Sequence, residues 1–251
     1  MNSNSMVVYR AEGGADWGMG HLVKGSILAE QLERKHPRLK IVFFIKKEAE
    51  GIRWLKKKRF SICRMPSALP RSQEPRWMLN RLPASKNILF LLDILNVDAG
   101  YVRELKRAGY RVMTFENTGS SRKFADVTLN ALVEGPQAGR EVFKEGGTVF
   151  KGSPFRVFHP QYSVSKRRSV SSHRKKTVLI SLGGGSDKGF SKKLIDEILR
   201  RFKEIRVLFI QGPAQEKIKL SRNINGHSLT VLGPQASLAP WLRRSSVAMT
   251  A

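Results

Sequence analysis

Residues 7–33 read VVYRAEGGADWGMGHLVKGSILAEQLE. A short apolar run at residues 7–9 is followed by a Gly-rich loop, and apolar residues then recur at three- and four-residue steps over residues 21–35. The pattern predicts a strand, a loop and an amphipathic helix. Because a strand joined to a helix by such a loop is the repeating unit of a parallel α/β sheet, this stretch decides the fold class.

The same alternation continues along the chain. The runs IVFFI at residues 41–45 and ILFLL at residues 88–92 predict strands buried on both faces, as in a covered parallel sheet. Residues 66–83 contain four prolines and predict a loop with one short helix. The other predicted elements are helices at 48–57, 97–108, 188–202, 215–220 and 236–243, and strands at 60–63, 111–115, 127–130, 177–182, 206–210, 229–232 and 247–250.

Composition separates two α/β regions. Residues 163–176 (SVSKRRSVSSHRKK) contain almost no large apolar side chain, which is typical of a linker. We therefore predict two Rossmann-like domains, at residues 1–162 and 177–251, joined by a basic linker and facing a central cleft. Open parallel sheets bind ligands beyond the carboxyl ends of their strands.

The charge balance limits the possible partners. The 251 residues include 46 Lys and Arg but only 20 Asp and Glu, a formal net charge of +26. Such a balance favours polyanions. However, the basic residues lie in scattered short runs without interleaved aromatic residues, so no specific nucleic-acid partner is expected. An anionic membrane surface or a phosphorylated substrate would be attracted equally.

Cysteine content and hydropathy exclude further classes. The single cysteine, Cys63, excludes a disulfide framework and a Cys-rich zinc site. We expect neither a metal nor another cofactor. No apolar run approaches the roughly 20 residues of a membrane span, and the first residues lack the apolar core of a secretory signal. We therefore expect a cytoplasmic protein, or one peripheral to the inner face of the membrane.

The first Gly-rich loop places Gly18 and Gly20 directly before His21. Glycine allows close approach of the backbone to a ligand, and a helix N-terminus attracts anions and favours a neutral imidazole. The loop is not a dinucleotide fingerprint, because Val23 stands where a third glycine is needed, nor does it contain a Walker Gly-Lys-Ser/Thr. His21 is therefore a candidate general base, although a His that only packs on the loop has the same sequence.

The second Gly-rich loop follows the predicted strand at 177–182 and contains Gly183, Gly184, Gly185 and Ser186. Consecutive glycines before a helix suit a diphosphate. A plain strand–helix turn is the alternative, but three glycines exceed what such a turn needs.

Polar residues follow other predicted strands. They are Asp93, Glu116, Asn117 and Asn130. Because the carboxyl ends of parallel strands meet at one edge, we expect these side chains along one rim of the sheet. A helix-capping Asp is an equally good interpretation of Asp93.

Taken in order, these segments resemble the pseudaminic-acid-pathway UDP-sugar hydrolases and the related spore coat polysaccharide biosynthesis proteins, which are described as glycosyltransferases. Residues 10–24 resemble the family opening R-A-D-G…I-G-x-G-H-x-x-R. Residues 91–93 (LLD) resemble its strand ending in Asp, and TFENTG at 114–119 with ADVTLNA at 125–131 resembles E-D/N-x-G…A-D-x-V-I-N-A. Residues 152–162 resemble G-x-x-Y-x-x-L-R-x-E-F, and ISLGGGSD at 180–187 resembles S-x-G-G-x-D.

The resemblance implies the glycosyltransferase-B architecture, similar to the enzyme that adds N-acetylglucosamine to lipid-linked peptidoglycan precursors. The first domain would hold the sugar or acceptor and the second UDP. His21 and Asp93 would be catalytic. In a UDP-sugar hydrolase His21 activates the water that displaces UDP from the anomeric carbon; in a glycosyltransferase of spore coat or surface polysaccharide a sugar hydroxyl replaces that water. The substrate-binding residues would be Glu12, Gly18, Gly20, Lys24, Glu116, Asn117 and Asn130.

This chain also departs from the family pattern. Glu12 replaces Asp and Lys24 replaces Arg, while His159 and Gln161 stand where the pattern has Arg and Glu. These changes leave the identity of the sugar undetermined. Residues 247–251 resemble the strand before a G-G-x-T/S-x-x-E segment whose Glu binds ribose, so we expect a C-terminally truncated second domain with weak UDP binding. A degenerate basic protein that binds polyanions without catalysis remains the non-enzymatic alternative.

Overall fold

The chain divides into two compact α/β units. In the computed structural model one unit comprises Met1–Gly13 and His21–Val157, and the other comprises Gly14–Gly20 and Phe158–Ala251. Each contains its own, mainly parallel, sheet, which confirms the predicted fold class of two Rossmann-like units. The structure describes residues 5–14, 17–46, 49–83, 87–162, 176–183, 189–212, 215, 218, 228–235 and 237–250.

The domain boundaries at 162 and 177 stay predictions. Residues 163–175 of the predicted linker lie outside the described residues. So does most of the helix predicted at 215–220, of which only Gln215 and Ile218 are described.

The first unit contains an eight-stranded sheet. Its strands are β1 (Met6–Ala11), β2 (Lys40–Lys46), β3 (Ser61–Met65), β4 (Ile88–Asp93), β5 (Arg111–Phe115), β6 (Val127–Asn130), β7 (Gly139–Val142) and β8 (Thr148–Lys151). The spatial order is β3-β2-β1-β4-β5-β6-β8-β7, and every neighbouring pair is parallel except β7 and β8. The order reverses direction between β1 and β4, and a Rossmann-like sheet binds its ligand in the crevice outside such a switch point.

Among the described residues, four α-helices accompany this sheet: α1 (Gly20–Lys35), α2 (Ala49–Lys57), α3 (Glu74–Leu79) and α4 (Ala99–Arg107). α4 begins two residues later than predicted because Asp98 caps it, its side chain accepting a hydrogen bond from the backbone N–H of Tyr101 at 2.8 Å. Buried apolar side chains of β1, β4 and α4 form one core, which includes Val8, Phe90 and Val102. The core fixes the ends of β1 and β4 beside each other.

The second unit contains a four-stranded parallel sheet in the order β11-β10-β9-β12. Its elements are β9 (Thr177–Ser181), α5 (Phe190–Arg201), β10 (Arg206–Ile210), β11 (Ser228–Leu232), α6 (Ala239–Leu242) and β12 (Val247–Thr250). Ile180 and Phe209 lie in one apolar cluster, and Leu179 and Leu208 lie in another. The sheet is thus covered on both faces. Its order reverses between β9 and β12, and Gly183 lies two residues after the end of β9.

The hairpin of β7 and β8 was not predicted. Both strands lie at one edge of the sheet, and four-residue β7 has no buried side chain. An edge strand of this kind carries no continuous apolar run, which is the signal that identified the central strands. Among the helices that the structure describes, none is long and apolar enough to cross a bilayer.

Candidate active site

His21 and Asp93 meet at the switch point of the first sheet. Asp93 is the last residue of β4, and His21 is the second residue of α1, which follows the loop after β1. His21 Nδ1 lies 2.7 Å from Asp93 Oδ1, although the two residues are 72 positions apart. The Asp93 side chain is fully buried, whereas the His21 side chain remains 21% exposed. The structure therefore brings together the two residues predicted to be catalytic.

The carboxylate decides which nitrogen of the imidazole carries the proton. An ionised carboxylate can only accept hydrogen bonds, so Nδ1 of His21 is the protonated nitrogen when the ring is neutral. Nε2 then carries the free lone pair, and no hydrogen bond between described residues uses it. This is the arrangement of a general base oriented by a buried carboxylate.

Tyr9 holds the other oxygen of Asp93. Its hydroxyl donates to Oδ2 at 2.8 Å, and burial, followed by the charge of Asp93 and this hydrogen bond, raises the pKa of Tyr9 well above its ordinary value. The phenol therefore keeps its proton and remains a donor. Gly25 of α1 makes room for the ring, because a Cβ at this position would lie 2.7 Å from Tyr9 Cε1.

Lys24 contacts the same carboxylate. Its Nζ lies 2.9 Å from Asp93 Oδ1 and 4.8 Å from the centroid of the Phe115 ring. Two hydrogen-bonding partners, Tyr9 and His21, and the ammonium group of Lys24 thus surround one fully buried carboxylate. The predicted role of Lys24 in substrate binding stays a prediction, and its observed partner is Asp93.

Glu12 lies in a second polar group, which we name the Arg10 cluster: Arg10, Glu12, Lys46, Arg71 and Glu74. Fully buried Arg10 donates to Glu74 Oε2 from Nε at 2.9 Å and to Glu12 Oε1 from Nη2 at 2.9 Å. Arg71 Nη2 donates to the same Glu12 oxygen at 2.9 Å, and Lys46 Nζ lies 3.3 Å from Glu74 Oε1. Burial raises the pKa of Glu74, but the hydrogen bond and charge of Arg10 outweigh it, so the net pKa is lowered.

The remaining predicted rim residues are bonded into loops. The Glu116 carboxylate accepts from the backbone N–H of Ala131 at 3.2 Å and of Leu132 at 3.4 Å, and its own φ is positive, at 48°. Asn117 Oδ1 accepts from Gly119 N at 2.8 Å. Asn130 Nδ2 donates to the Asn117 carbonyl at 3.1 Å, whereas its buried Oδ1 has no partner in the part of the chain that the structure describes. Their direct binding of substrate stays a prediction.

Each Gly-rich loop contains a described glycine in the left-handed region of the backbone. Gly18 and Gly183 have positive φ values, of 69° and 80°. A Cβ built at Gly20 or Gly183 would meet no atom within 4 Å, so the space beside both residues is open. Gly184, Gly185 and Ser186, predicted to bind diphosphate, lie outside the described residues.

Sequence reasoning missed Tyr9, Lys46, Arg71 and Glu74. The only available signal was a polar pair, Tyr9 and Arg10, inside an apolar strand next to the Gly-rich loop. Within the described ranges, no group of three or more His, Cys, Asp or Glu side chains is arranged to hold a metal ion.

The fold is that of known glycosyltransferase-B structures. Acinetobacter baumannii MurG superposes with a TM-score of 0.62 at 13% identity, over 98% of this chain and 73% of that chain. Arabidopsis thaliana UGT89C1, complexed with UDP-L-rhamnose, gives a TM-score of 0.54 at 11% identity, over 98% and 74%. Anabaena Alr3699/HepE, in complex with UDP and glucose, gives 0.52 at 8% identity, over 98% and 73%.

Two curated proteins are similar in sequence. The spore coat polysaccharide biosynthesis protein SpsG of Bacillus subtilis is 24% identical over 218 residues, covering 83% of this chain and 61% of SpsG. The uncharacterized protein MJ1062 of Methanocaldococcus jannaschii is 23% identical over 236 residues, covering 85% of this chain and 47% of that protein. The chain thus spans between about half and three fifths of the length of these relatives. No protein-family model matches the chain.

Proposed function

We propose that this chain processes a nucleotide sugar, with His21 as the general base and Asp93 as the residue that orients and stabilises it. The contact of 2.7 Å between His21 Nδ1 and Asp93 Oδ1, at the switch point of a Rossmann-like sheet, is the observation that carries the proposal. The similarity to SpsG supports a role in polysaccharide biosynthesis.

His21 would act on the nucleophile. A hydroxyl group placed at Nε2 gives up its proton to the ring as its oxygen attacks the anomeric carbon. The bond between that carbon and the diphosphate oxygen breaks, and its electron pair leaves with the nucleoside diphosphate. Asp93 stabilises the imidazolium that forms, as a buried carboxylate partner does in other His-based sites. Tyr9 and Lys24 hold the carboxylate in place during this step.

UDP is the proposed nucleotide. UGT89C1 and Alr3699/HepE, which share the fold, were both solved with UDP or a UDP-sugar bound. In the second unit we propose that the backbone at Gly183, next to the switch point of β9 and β12, contacts the diphosphate, because its positive φ and open surroundings allow close approach.

Two nucleophiles fit the same base. Water would make the protein a UDP-sugar hydrolase, and a sugar hydroxyl would make it a glycosyltransferase. SpsG and the structural neighbours support transfer at least as well as hydrolysis, and the sequence resemblance to the pseudaminic-acid-pathway hydrolases supports water.

The test is release of UDP from UDP-glucose, UDP-galactose and UDP-N-acetylglucosamine, first in buffer alone and then with a mixture of monosaccharide and oligosaccharide acceptors. UDP formed in buffer alone indicates hydrolysis, and UDP formed only with an acceptor indicates transfer. His21→Ala should lower turnover by about 10²–10⁴-fold, the usual contribution of a general base. His36→Ala, just beyond the other end of α1, is the matched control. Turnover unaffected by His21→Ala would contradict the assignment of the base.

A further inference from the structure

The Arg10 cluster contains one buried acceptor atom and one buried donor atom that have no partner among the described residues. Glu12 Oε1 accepts from Arg10 and Arg71, but Glu12 Oε2 accepts from no described residue, although the Glu12 side chain is only 4% exposed. Arg71 Nη1 is also buried and donates to no described residue. Because Arg71 Nη2 already bonds Glu12 Oε1 at 2.9 Å, the unpaired atoms belong to two side chains in direct contact.

The chemistry of these atoms limits what can fill the position. Leaving a buried donor or acceptor unpaired costs roughly 1–3 kcal/mol, and more for charged groups. Glu12 Oε2 needs a donor and Arg71 Nη1 needs an acceptor. A phosphate would accept from Arg71 but be repelled by Glu12. An ammonium group would donate to Glu12 but be repelled by Arg71. A hydroxyl donates and accepts at once, and therefore satisfies both.

The position of Glu12 links this pair to the proposed reaction centre. Glu12 follows Ala11, whose partner in the register of β1 and β4 is Asp93. Neighbouring strands lie about 4.8 Å apart, so the backbone of Glu12 is close to that of Asp93. Arg71 lies on a short 3-10 turn at Arg71–Gln73, and its side chain is 27% exposed, so part of this side chain reaches solvent although Nη1 is buried.

We propose that Glu12 and Arg71 form a subsite for one hydroxyl group of the sugar. The hydroxyl donates its hydrogen to Glu12 Oε2 and accepts one from Arg71 Nη1. The inference rests on the proposed function and extends it: Arg71 becomes a specificity-determining residue, and the group recognised is a neutral hydroxyl rather than a phosphate or an amine. Arg10 and Glu74 act as positioning residues that hold Glu12 in place.

The experiment compares binding of UDP-sugars with binding of UDP. Calorimetric titration is carried out in a His21→Ala background, to prevent turnover, with the UDP-sugar that binds best among UDP-glucose, UDP-galactose and UDP-N-acetylglucosamine. Glu12→Gln and Arg71→Gln should each weaken UDP-sugar binding at least tenfold and change UDP binding less than twofold. The matched controls are Glu145→Gln and Arg76→Gln, which remove the same charges at exposed positions and should change neither affinity.

Monodeoxy analogues of that UDP-sugar identify the hydroxyl. The analogue that lacks the recognised hydroxyl should bind about tenfold more weakly than the parent UDP-sugar when Arg71 is present. Arg71→Gln should then weaken binding of this analogue by less than a further twofold, because the hydroxyl that Arg71 would contact is already absent. If every analogue loses the same factor with and without Arg71→Gln, the pair holds only a water molecule and the inference is wrong. Arg71→Gln leaves the Arg10–Glu12 bond intact, so it serves if Glu12→Gln does not fold.

The inference and the proposed function fail in different ways. Absence of measurable binding of every UDP-sugar and of UDP would refute the proposed function, and the subsite with it. Binding and turnover without coupling between Arg71 and any hydroxyl would refute the subsite alone.

Discussion

Replacing Asp93 by Asn tests the proposed base most directly, because it removes one charge at nearly constant volume. Asp93 Oδ1 lies 2.7 Å from His21 Nδ1 and 2.9 Å from Lys24 Nζ, and Oδ2 accepts from the Tyr9 hydroxyl at 2.8 Å. An amide has one acceptor end and one donor end. It fits here only with its oxygen towards the two nitrogens and its NH₂ towards Tyr9, whose hydroxyl can rotate to accept.

The size of the effect follows from that orientation. His21 keeps its Nδ1–H donor and the tautomer with Nε2 free, but its partner is now neutral. Hydrogen bonds to charged groups contribute about 1.5–3 kcal/mol and neutral ones about 0.5–1.5 kcal/mol. The difference, roughly 1–1.5 kcal/mol, corresponds to about a 5- to 13-fold loss of kcat/KM. The opposite orientation would point NH₂ at Nδ1, remove the base, and reproduce the much larger loss expected for His21→Ala.

The assay is kcat/KM for UDP release by four forms: unsubstituted, Asp93→Asn, His21→Ala and the double variant. Because Asp93 acts through His21, the double variant should be no slower than His21→Ala alone. The variant with both Tyr9→Phe and Asp93→Asn should lose more kcat/KM than the two separate losses combined, because the amide at position 93 then has no acceptor for its NH₂. Asp196→Asn, at an exposed position of α5, is the control for loss of a carboxylate.

Two outcomes would refute this reasoning. If Asp93→Asn lowered kcat/KM as much as His21→Ala does, the amide would not adopt the orientation that Tyr9 permits. Losses that multiply in the double variant would show that Asp93 acts independently of His21, and the proposed dyad would be wrong.

Two further predictions concern the packing around these groups. Gly25→Ala should lower the free energy of unfolding by about 1–3 kcal/mol, because its Cβ would overlap the Tyr9 ring. Gly20→Ala should leave that free energy unchanged, because the space around Gly20 is open. Urea unfolding of both variants tests this. The pKa of Glu74 in the folded protein lies below its ordinary value of 4.5, so its stabilising contribution is complete above that pH and is lost as the pH falls through the lower folded value. Thermal unfolding of Glu74→Gln between pH 3 and pH 6 should therefore show a flatter acid limb, and an unchanged slope would contradict the assignment of Glu74.

The sequence was sufficient to locate the site residues that stand at the carboxyl ends of strands. Continuous apolar runs predicted β1, β2 and β4, and a parallel sheet brings the residues after such strands to one edge. This argument placed Asp93 at the carboxyl edge of the sheet, and the family resemblance named His21 and Asp93 together as catalytic. It could not distinguish a base oriented by Asp93 from a helix cap, because that depends on a distance of 2.7 Å between residues 72 positions apart.

The side-chain contacts that the sequence did not predict join residues that are far apart in the chain. Arg10 bonds Glu74, 64 residues away, and no local pattern connects a strand residue with the start of a short helix in a Pro-rich segment. Glu116 was predicted to bind substrate, and this stays a prediction; the contacts that the sequence did not indicate are those of its carboxylate with the backbone beyond β6. Position at a sheet edge is common to functional and loop-supporting side chains, and only their partners separate the two.

Strand β1 explains why so many polar groups lie beside one switch point. Successive side chains of a strand point to opposite faces of the sheet. Tyr9 therefore reaches Asp93 beside α1, while Arg10 reaches Glu74 of α3 and orders Glu12. The proposed base and the proposed hydroxyl subsite each contact β1, through Tyr9 and Arg10, and share no hydrogen bond between described residues. Substitutions should therefore separate them: His21→Ala should lower kcat, and Arg71→Gln should weaken sugar binding. The pairing of Ala11 with Asp93 fixes the backbone spacing between Glu12 and Asp93, so under both proposals β1 would align the sugar with the base.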